Sequence, residues 1–135
     1  MRNVAPLRLL RLANPLVRTT LDSRAHGALS GRLILLEYRG RRSGRTFRIP
    51  VRYAPTGDGG IVAVAVWPER KQWWRAFALE ADATLTVRGT PLVARGRVAE
   101  GDARTDALAA YLARYPRSRR VTADAAVVVF RPVDG

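Results

Sequence analysis

The 135-residue sequence contains no cysteine. That excludes disulfides, thiolate nucleophiles, cysteine-ligated zinc and iron–sulfur clusters together, because each needs a sulfur. Histidine occurs once, at His26. A histidine-built metal site is therefore excluded, and a Ser-His-Asp triad would have to use that one residue. Placed before GALSGR, His26 reads most simply as a helix-end or capping residue. The 11 carboxylates are scattered, with no acidic cluster of the kind that holds magnesium or calcium, so no metal is expected. No apolar run approaches the ~20 residues needed to span a bilayer. The N-terminus lacks the long apolar stretch and small-residue cleavage site of a signal peptide, so the expected compartment is the cytoplasm. Internal repeats and low-complexity linkers are absent too.

Cations are abundant instead. Lys and Arg total 24, giving a formal charge of +13, and Lys71 is the sole lysine. Such a charge implies an anionic partner: a nucleic acid, a membrane surface or a small polyanion. The preference for arginine, alongside much Ala, Gly and Val, is partly a compositional bias. Apolar residues make up 47%, so the chain is globular, and its length suits one domain over residues 1–135 with a single core.

The hydrophobic periods give the element order. Residues 4–30 read as a helical segment with Leu7, Leu10, Val17 and Leu21 near one stripe and Arg8, Arg11 and Arg18 beside it. The segment either packs on the domain or rests, as a basic amphipathic helix, on the anionic inner face of a membrane. GRLILLEYR (31–39) is a strand. RTFRIPVRYA (45–54) alternates, with Phe47, Ile49, Val51 and Tyr53 on one face. Pro50 within it demands an edge or a bulge. PTGDGG (55–60) is a hairpin turn, and IVAVAVW (61–67) is a buried strand. A helix is expected over 68–82, two strands around Gly89-Thr90, a helix over 102–116 and a last strand over 123–132. Six strands joined mostly by short turns predict a mainly β fold with helices (α+β): a small closed barrel with antiparallel pairing.

Three features carry candidate chemistry. GRRSGRTFRIPVRY (40–53) places five arginines about two glycines and a serine. Gly40 and Gly44 permit a tight turn whose successive N–H groups aim at one anion. Ser43 adds a hydroxyl, and Arg41, Arg42 and Arg45 add charge-assisted contacts. An ordinary hairpin with solvated arginines is the alternative. In ERKQWWRAF, Trp73 pairs with Phe77 at helical spacing as core, whereas Trp74 falls nearer Lys71 and Arg75, where a ring suits a flat anionic heterocycle; plain core and rim packing of both indoles is the alternative. Tyr53, Tyr111 and Tyr115 are candidate proton donors, each equally readable as a half-buried structural tyrosine.

These stretches carry a resemblance. GRRSGRTFRIPVRY, a short turn, an apolar strand, ERKQWWRAF and LTVRG, led in by NPLVRTTLDSRAHGALSGRLILLEY, resemble the deazaflavin-dependent nitroreductase (F420H2-dependent quinone reductase) family of actinobacteria over nearly the whole chain. The resemblance implies a split β-barrel of the flavin-reductase, FMN-binding-like kind. It implies coenzyme F420 as cofactor, with its phosphate on Arg41, Arg42, Ser43 and Gly44, Gly40 in the same turn, and assistance from Arg70 or Lys71. Arg48, Pro50 and Trp74 complete the implied cofactor site. The implied activity is hydride transfer to a small-molecule electron acceptor such as a quinone, nitro compound or enone. Family members often carry Arg where this chain has Phe47, and a longer glycine-rich loop before the tryptophans. Those departures motivate a second reading, the same fold with FMN or another cofactor. The resemblance also allows a homodimer, for which IVAVAVW leaves room.

A third reading, from charge alone, is a basic nucleic-acid-binding module. The aromatics sit in apolar runs and do not alternate with cations along an exposed strand, and no helix-turn-helix or zinc-finger pattern is present. No nucleic acid is therefore expected as partner.

Overall fold

The computed structural model describes residues 32–133. The helix expected over 4–30, its membrane reading and His26 lie outside the described residues. The described residues form six strands: β1 (Leu33–Arg39), β2 (Thr46–Pro55), β3 (Ile61–Ala65), β4 (Ala81–Val87), β5 (Thr90–Val98) and β6 (Ala126–Pro132). They close in the order β1-β2-β3-β6-β5-β4, every neighbouring pair antiparallel. The expectation of a six-stranded antiparallel barrel, mainly β with helices, therefore holds.

Strand alternation fills the barrel. Ile34 and Leu36 of β1 and Val51 and Tyr53 of β2 point inward, with Leu85, Val128 and Phe130 opposite. Tyr38 stacks on Phe47, its direct cross-strand partner, at 5.4 Å between ring centroids. Gly96 of β5 is where Phe77 and Phe130 meet edge to face at 5.1 Å. A Cβ there would lie 2.6 Å from the Phe130 ring and 2.8 Å from that of Phe77, so the absent side chain is what lets the aromatic pair plug the barrel.

A second apolar layer lies outside the wall. Helix α1 (Gly101–Arg114) crosses β2, β3 and β6, burying Ala107 and Tyr111 against Ala54, Val62 and Val127. The chain returns through a short 3-10 turn, Pro116–Ser118. Arg104 fixes that return by donating from Nη2 to the carbonyls of Thr122, Ala123 and Ala125.

Two elements differ from expectation. Instead of a helix over 68–82, the chain makes a tight turn, then a 3-10 turn at Trp73–Phe77, and β4 already begins at Ala81. The carbonyl of Trp67 takes the N–H groups of Arg70 and Lys71, and the Trp74 indole N–H donates to the Pro68 carbonyl at 2.8 Å. These bonds fold PERKQ into a cap, so Trp73 and Phe77 drop into the barrel mouth. Local helix propensity yields to burial of two large rings. Strand β3 also ends at Ala65, because Trp67 adopts φ 55, in the left-handed region.

Pairing between β2 and β3 is confined to Tyr53↔Ala63, Ala54↔Val62 and Pro55↔Ile61. Thr46–Arg52 therefore pairs with β1 alone, and the wall splits along that edge. Pro50 marks the split. The Tyr53 N–H donates to Arg32 O and the Gly40 N–H to Arg45 O, so alternation places Leu35↔Pro50 at a non-hydrogen-bonded pair. The proline nitrogen faces the open edge, where no donor is needed.

Candidate functional site

Where β2 and β3 part, a cleft of about 640 Å³ opens through the wall. Ile49, Pro50 and Val51 form one side, Val64 and Val66 the other, and Trp73 lies among the lining rings. Two cations and two phenols interrupt this apolar lining: Arg52 and Lys71, Tyr38 and Tyr111. The composition suits a flat ligand with an anionic or electron-rich edge.

The three tyrosines singled out in the sequence separate here. Tyr111 lines the cleft from α1, and burial pushes its phenol above the ordinary range while the Arg52 guanidinium pulls it down. Its proton is therefore retained at neutral pH. Tyr115 is turned away to a structural bond, donating from its hydroxyl to the Tyr53 carbonyl at 2.5 Å. Arg52 and Arg114 lie over its ring at 4.9 and 5.8 Å. Tyr53 is buried in the barrel interior with Arg114 5.4 Å from its ring centroid.

The arginine loop sits at the end of the β1–β2 hairpin, on the half of β2 that borders the split. Gly40 N–H donates to Arg45 O at 2.8 Å, Gly44 N–H to Gly40 O at 3.0 Å and Arg45 N–H to Ser43 Oγ at 3.1 Å. Those bonds do not use the N–H groups of Arg41, Arg42 and Ser43, and the three residues are exposed. Gly44 adopts φ 71, the left-handed step that turns successive amides to one side. A Cβ on Gly40 would lie 2.9 Å from the Phe47 ring and 3.0 Å from Ser43 Oγ, so the loop closes tightly over the strand. About 13 Å of strand separates Thr46, at the foot of the loop, from Pro50 in the cleft.

The remaining sequence candidates divide likewise. Lys71 and Pro50 line the cleft. Arg70 is exposed on the adjoining turn. Trp74 is half-buried, its indole N–H committed to Pro68 and its ring 5.5 Å from the Arg75 guanidinium carbon. The tryptophan that reaches the cleft is Trp73. Arg48 donates from Nε to Glu37 Oε1 at 2.9 Å, directly across the β1–β2 ladder. Burial raises the Glu37 carboxyl from its ordinary value, with Arg48 opposing.

Sequence reasoning missed Tyr38, Arg52 and Trp73 as cleft residues. For Arg52 the signal was present, since it shares the strand face of Pro50. The sequence places Trp73 beside Phe77 and Tyr38 in the strand 31–39 without a site role; Trp73 is in the core and Tyr38 packs against it, and the split exposes that edge of the core.

A larger groove of about 730 Å³ runs along the outer wall of β5 and β6. Two of its three arginines are already matched, Arg95 with Asp82 and Glu80 and Arg131 with Asp58. It has no aromatic lining, so the β2/β3 cleft is the better candidate. Among the described residues no group of three His, Cys, Asp or Glu side chains could hold a metal ion. No described helix is long and apolar enough to cross a membrane.

No protein-family model and no curated protein matches the chain. Solved structures do. A protein of unknown function from Agrobacterium tumefaciens aligns at TM-score 0.65 and 20% identity, over 77% of this chain and 49% of that one. A heme binding protein from Mycobacterium smegmatis aligns at TM-score 0.61 and 20% identity, over 78% and 48%. A structure described as a domain-swapped dimer aligns at TM-score 0.65 and 17% identity, over 93% and 99%. The chain thus spans about half the length of the first two. These likenesses establish the fold: the neighbours are split-barrel-like proteins.

Proposed function

We propose that the protein is a coenzyme F420-dependent oxidoreductase that passes a hydride from the reduced deazaflavin to a small conjugated acceptor such as a quinone, nitro compound or enone. The observation that carries this reading is one hairpin with two properties. Its tip is a cationic loop with unused amides, and its open edge borders an aromatic-lined cleft.

Residues Arg41, Arg42, Ser43 and Gly44 fit a phosphate, offering backbone N–H groups, a hydroxyl and two guanidinium groups to one anion. Lys71 and Arg70 suit a carboxylate-bearing tail, and Ile49, Pro50 and Val64 suit the face of a planar ring. When bound, the reduced cofactor supplies the hydride. The protein's part is to seat the ring, exclude water and provide the accompanying proton. Tyr111 is the donor we assign, because its phenol is at the cleft and stays protonated. A hydride and that proton together convert a quinone to a hydroquinone.

The direct test is anaerobic mixing of the protein with reduced F420 and menadione, following cofactor oxidation by absorbance. Turnover above the protein-free rate supports the reading. A second reading keeps the fold and changes the cofactor. Phe47, stacked on Tyr38, stands where the resembling family often has arginine, a departure at the phosphate loop that motivates FMN or another cofactor. The domain-swapped neighbour makes a homodimer a reasonable assembly for either reading.

A further inference from the structure

Strand β2 alternates, with Val51 and Tyr53 turned to the barrel interior, so Arg52 shares the outward face with Pro50. Helix α1 packs on this strand, and Arg52 and Tyr111 line the same cleft. Tyr115, one turn further along α1, fixes how they meet. Its hydroxyl is bound to the Tyr53 carbonyl, its ring centroid is 4.8 Å from that of Tyr111, and the Arg52 guanidinium carbon is 4.9 Å from the same centroid. The guanidinium is thus seated on one tyrosine and acts on the phenol of the next, both as a charge and as a hydrogen-bond donor. It enters none of the ion pairs among the described residues, so no carboxylate there competes for it. A guanidinium has donors only, so a phenol oxygen facing it keeps its own O–H for another acceptor. Among the described residues the tyrosine hydroxyl that donates to a backbone carbonyl is that of Tyr115, which leaves the Tyr111 proton for a ligand in the cleft.

We propose that Arg52 is the positioning residue of the proton donor: it directs the Tyr111 O–H into the cleft and steadies the phenolate left after transfer. This rests on the reductase reading above. In the step, the Tyr111 O–H bond breaks and an O–H bond forms on the acceptor oxygen. The negative charge delivered with the hydride then resides on the Tyr111 oxygen, beside the guanidinium, until water returns a proton. An adjacent cation favours that charged form, and more so where the phenol is shielded; Tyr111 is 4% exposed. The other groups near it are Tyr38 and Lys71 in the cleft and Tyr115 and Arg114 on α1. Of these cations and Arg52, it is Arg52 that pulls the phenol down against burial.

The test has two readouts, one of them independent of any cofactor. Tyrosine labelled with carbon-13 at Cζ is titrated by NMR, the Tyr111 signal being the one missing from Tyr111→Phe. Arg52→Met should move the Tyr111 ionisation upward, and Arg52→Lys should keep it near wild type. In single-turnover oxidation of reduced F420 by menadione, Arg52→Met should slow the step ~10-fold at F420 affinity within about twofold, with lysine restoring most of the loss. In a Tyr111→Phe background the same substitution should cost less than about twofold, because its target is gone. Three results overturn the proposal: a Tyr111 titration untouched by Arg52→Met, kinetic losses that multiply in the double variant, or F420 affinity lost ~10-fold or more with the titration unchanged. The last would assign Arg52 to the anionic part of the ligand. A titration that moves with Arg52, with no turnover by the wild type, preserves Arg52 as the group that holds the Tyr111 proton and defeats the reductase reading.

Discussion

The Tyr115 hydroxyl donates to the backbone carbonyl of Tyr53, the residue that follows Arg52, the last position of β2 before pairing with β3 begins. This bond ties the end of α1 to the strand where the barrel wall closes again. The helix that carries Tyr111 is thereby fixed against the closed half of β2, while the open half remains available to a ligand.

Tyr115→Phe should therefore cost stability and leave the cleft intact. The loss is expected at about 1–2 kcal/mol, since a buried carbonyl forfeits its donor. Urea unfolding measures it, and F420 affinity should change less than about twofold. A large loss of affinity at unchanged stability would place Tyr115 in the site instead.

Tyr111→Phe should do the opposite. Removing a positioned proton donor is expected to lower kcat ~10²-fold, with cofactor affinity and Tm nearly unchanged. Single-turnover oxidation of reduced F420 by menadione reads the effect. A kcat within a few-fold of wild type would assign the proton to solvent.

Glu37 gives a pH prediction. Burial raises its carboxyl above the ordinary 4.5, with Arg48 opposing. A raised acid binds more protons folded than unfolded, so its contribution to stability is fullest below the unfolded value and declines as pH rises through the window above 4.5. Glu37→Gln lacks this decline. Urea unfolding between pH 4 and 7 should therefore show the variant gaining stability relative to wild type as pH rises. A relative loss over that range would mean that the Arg48 pair outweighs burial.

Much of the barrel was legible in the sequence because period-two alternation sets both strand and facing residue. Phe47, Ile49, Val51 and Tyr53 share one face, and Pro50 signals an edge, as the one-sided pairing of Thr46–Arg52 bears out. The segment from Pro68 to Ala78 was not legible, because its composition is helical and what reshapes it is tertiary. The capture of the Trp67 carbonyl, the Trp74–Pro68 bond and the burial of Trp73 and Phe77 depend on a barrel mouth that the local sequence does not encode. The cleft was half legible. Its glycine-flanked loop announces itself, whereas Tyr38 and Trp73 carry no site role until the split shows which core edge is open.

The central claim is that the Gly40–Gly44 loop seats the phosphate of a deazaflavin whose ring enters the β2/β3 cleft. Fluorescence titration of wild type and the Arg41→Ala/Arg42→Ala double variant with oxidised F420, and in parallel with FMN, tests it most directly. The account predicts saturable F420 binding by the wild type, weakened at least ~10-fold in the double variant by loss of charge-assisted contacts, and weaker binding of FMN. Absence of F420 binding, or equal binding by both proteins, would contradict it.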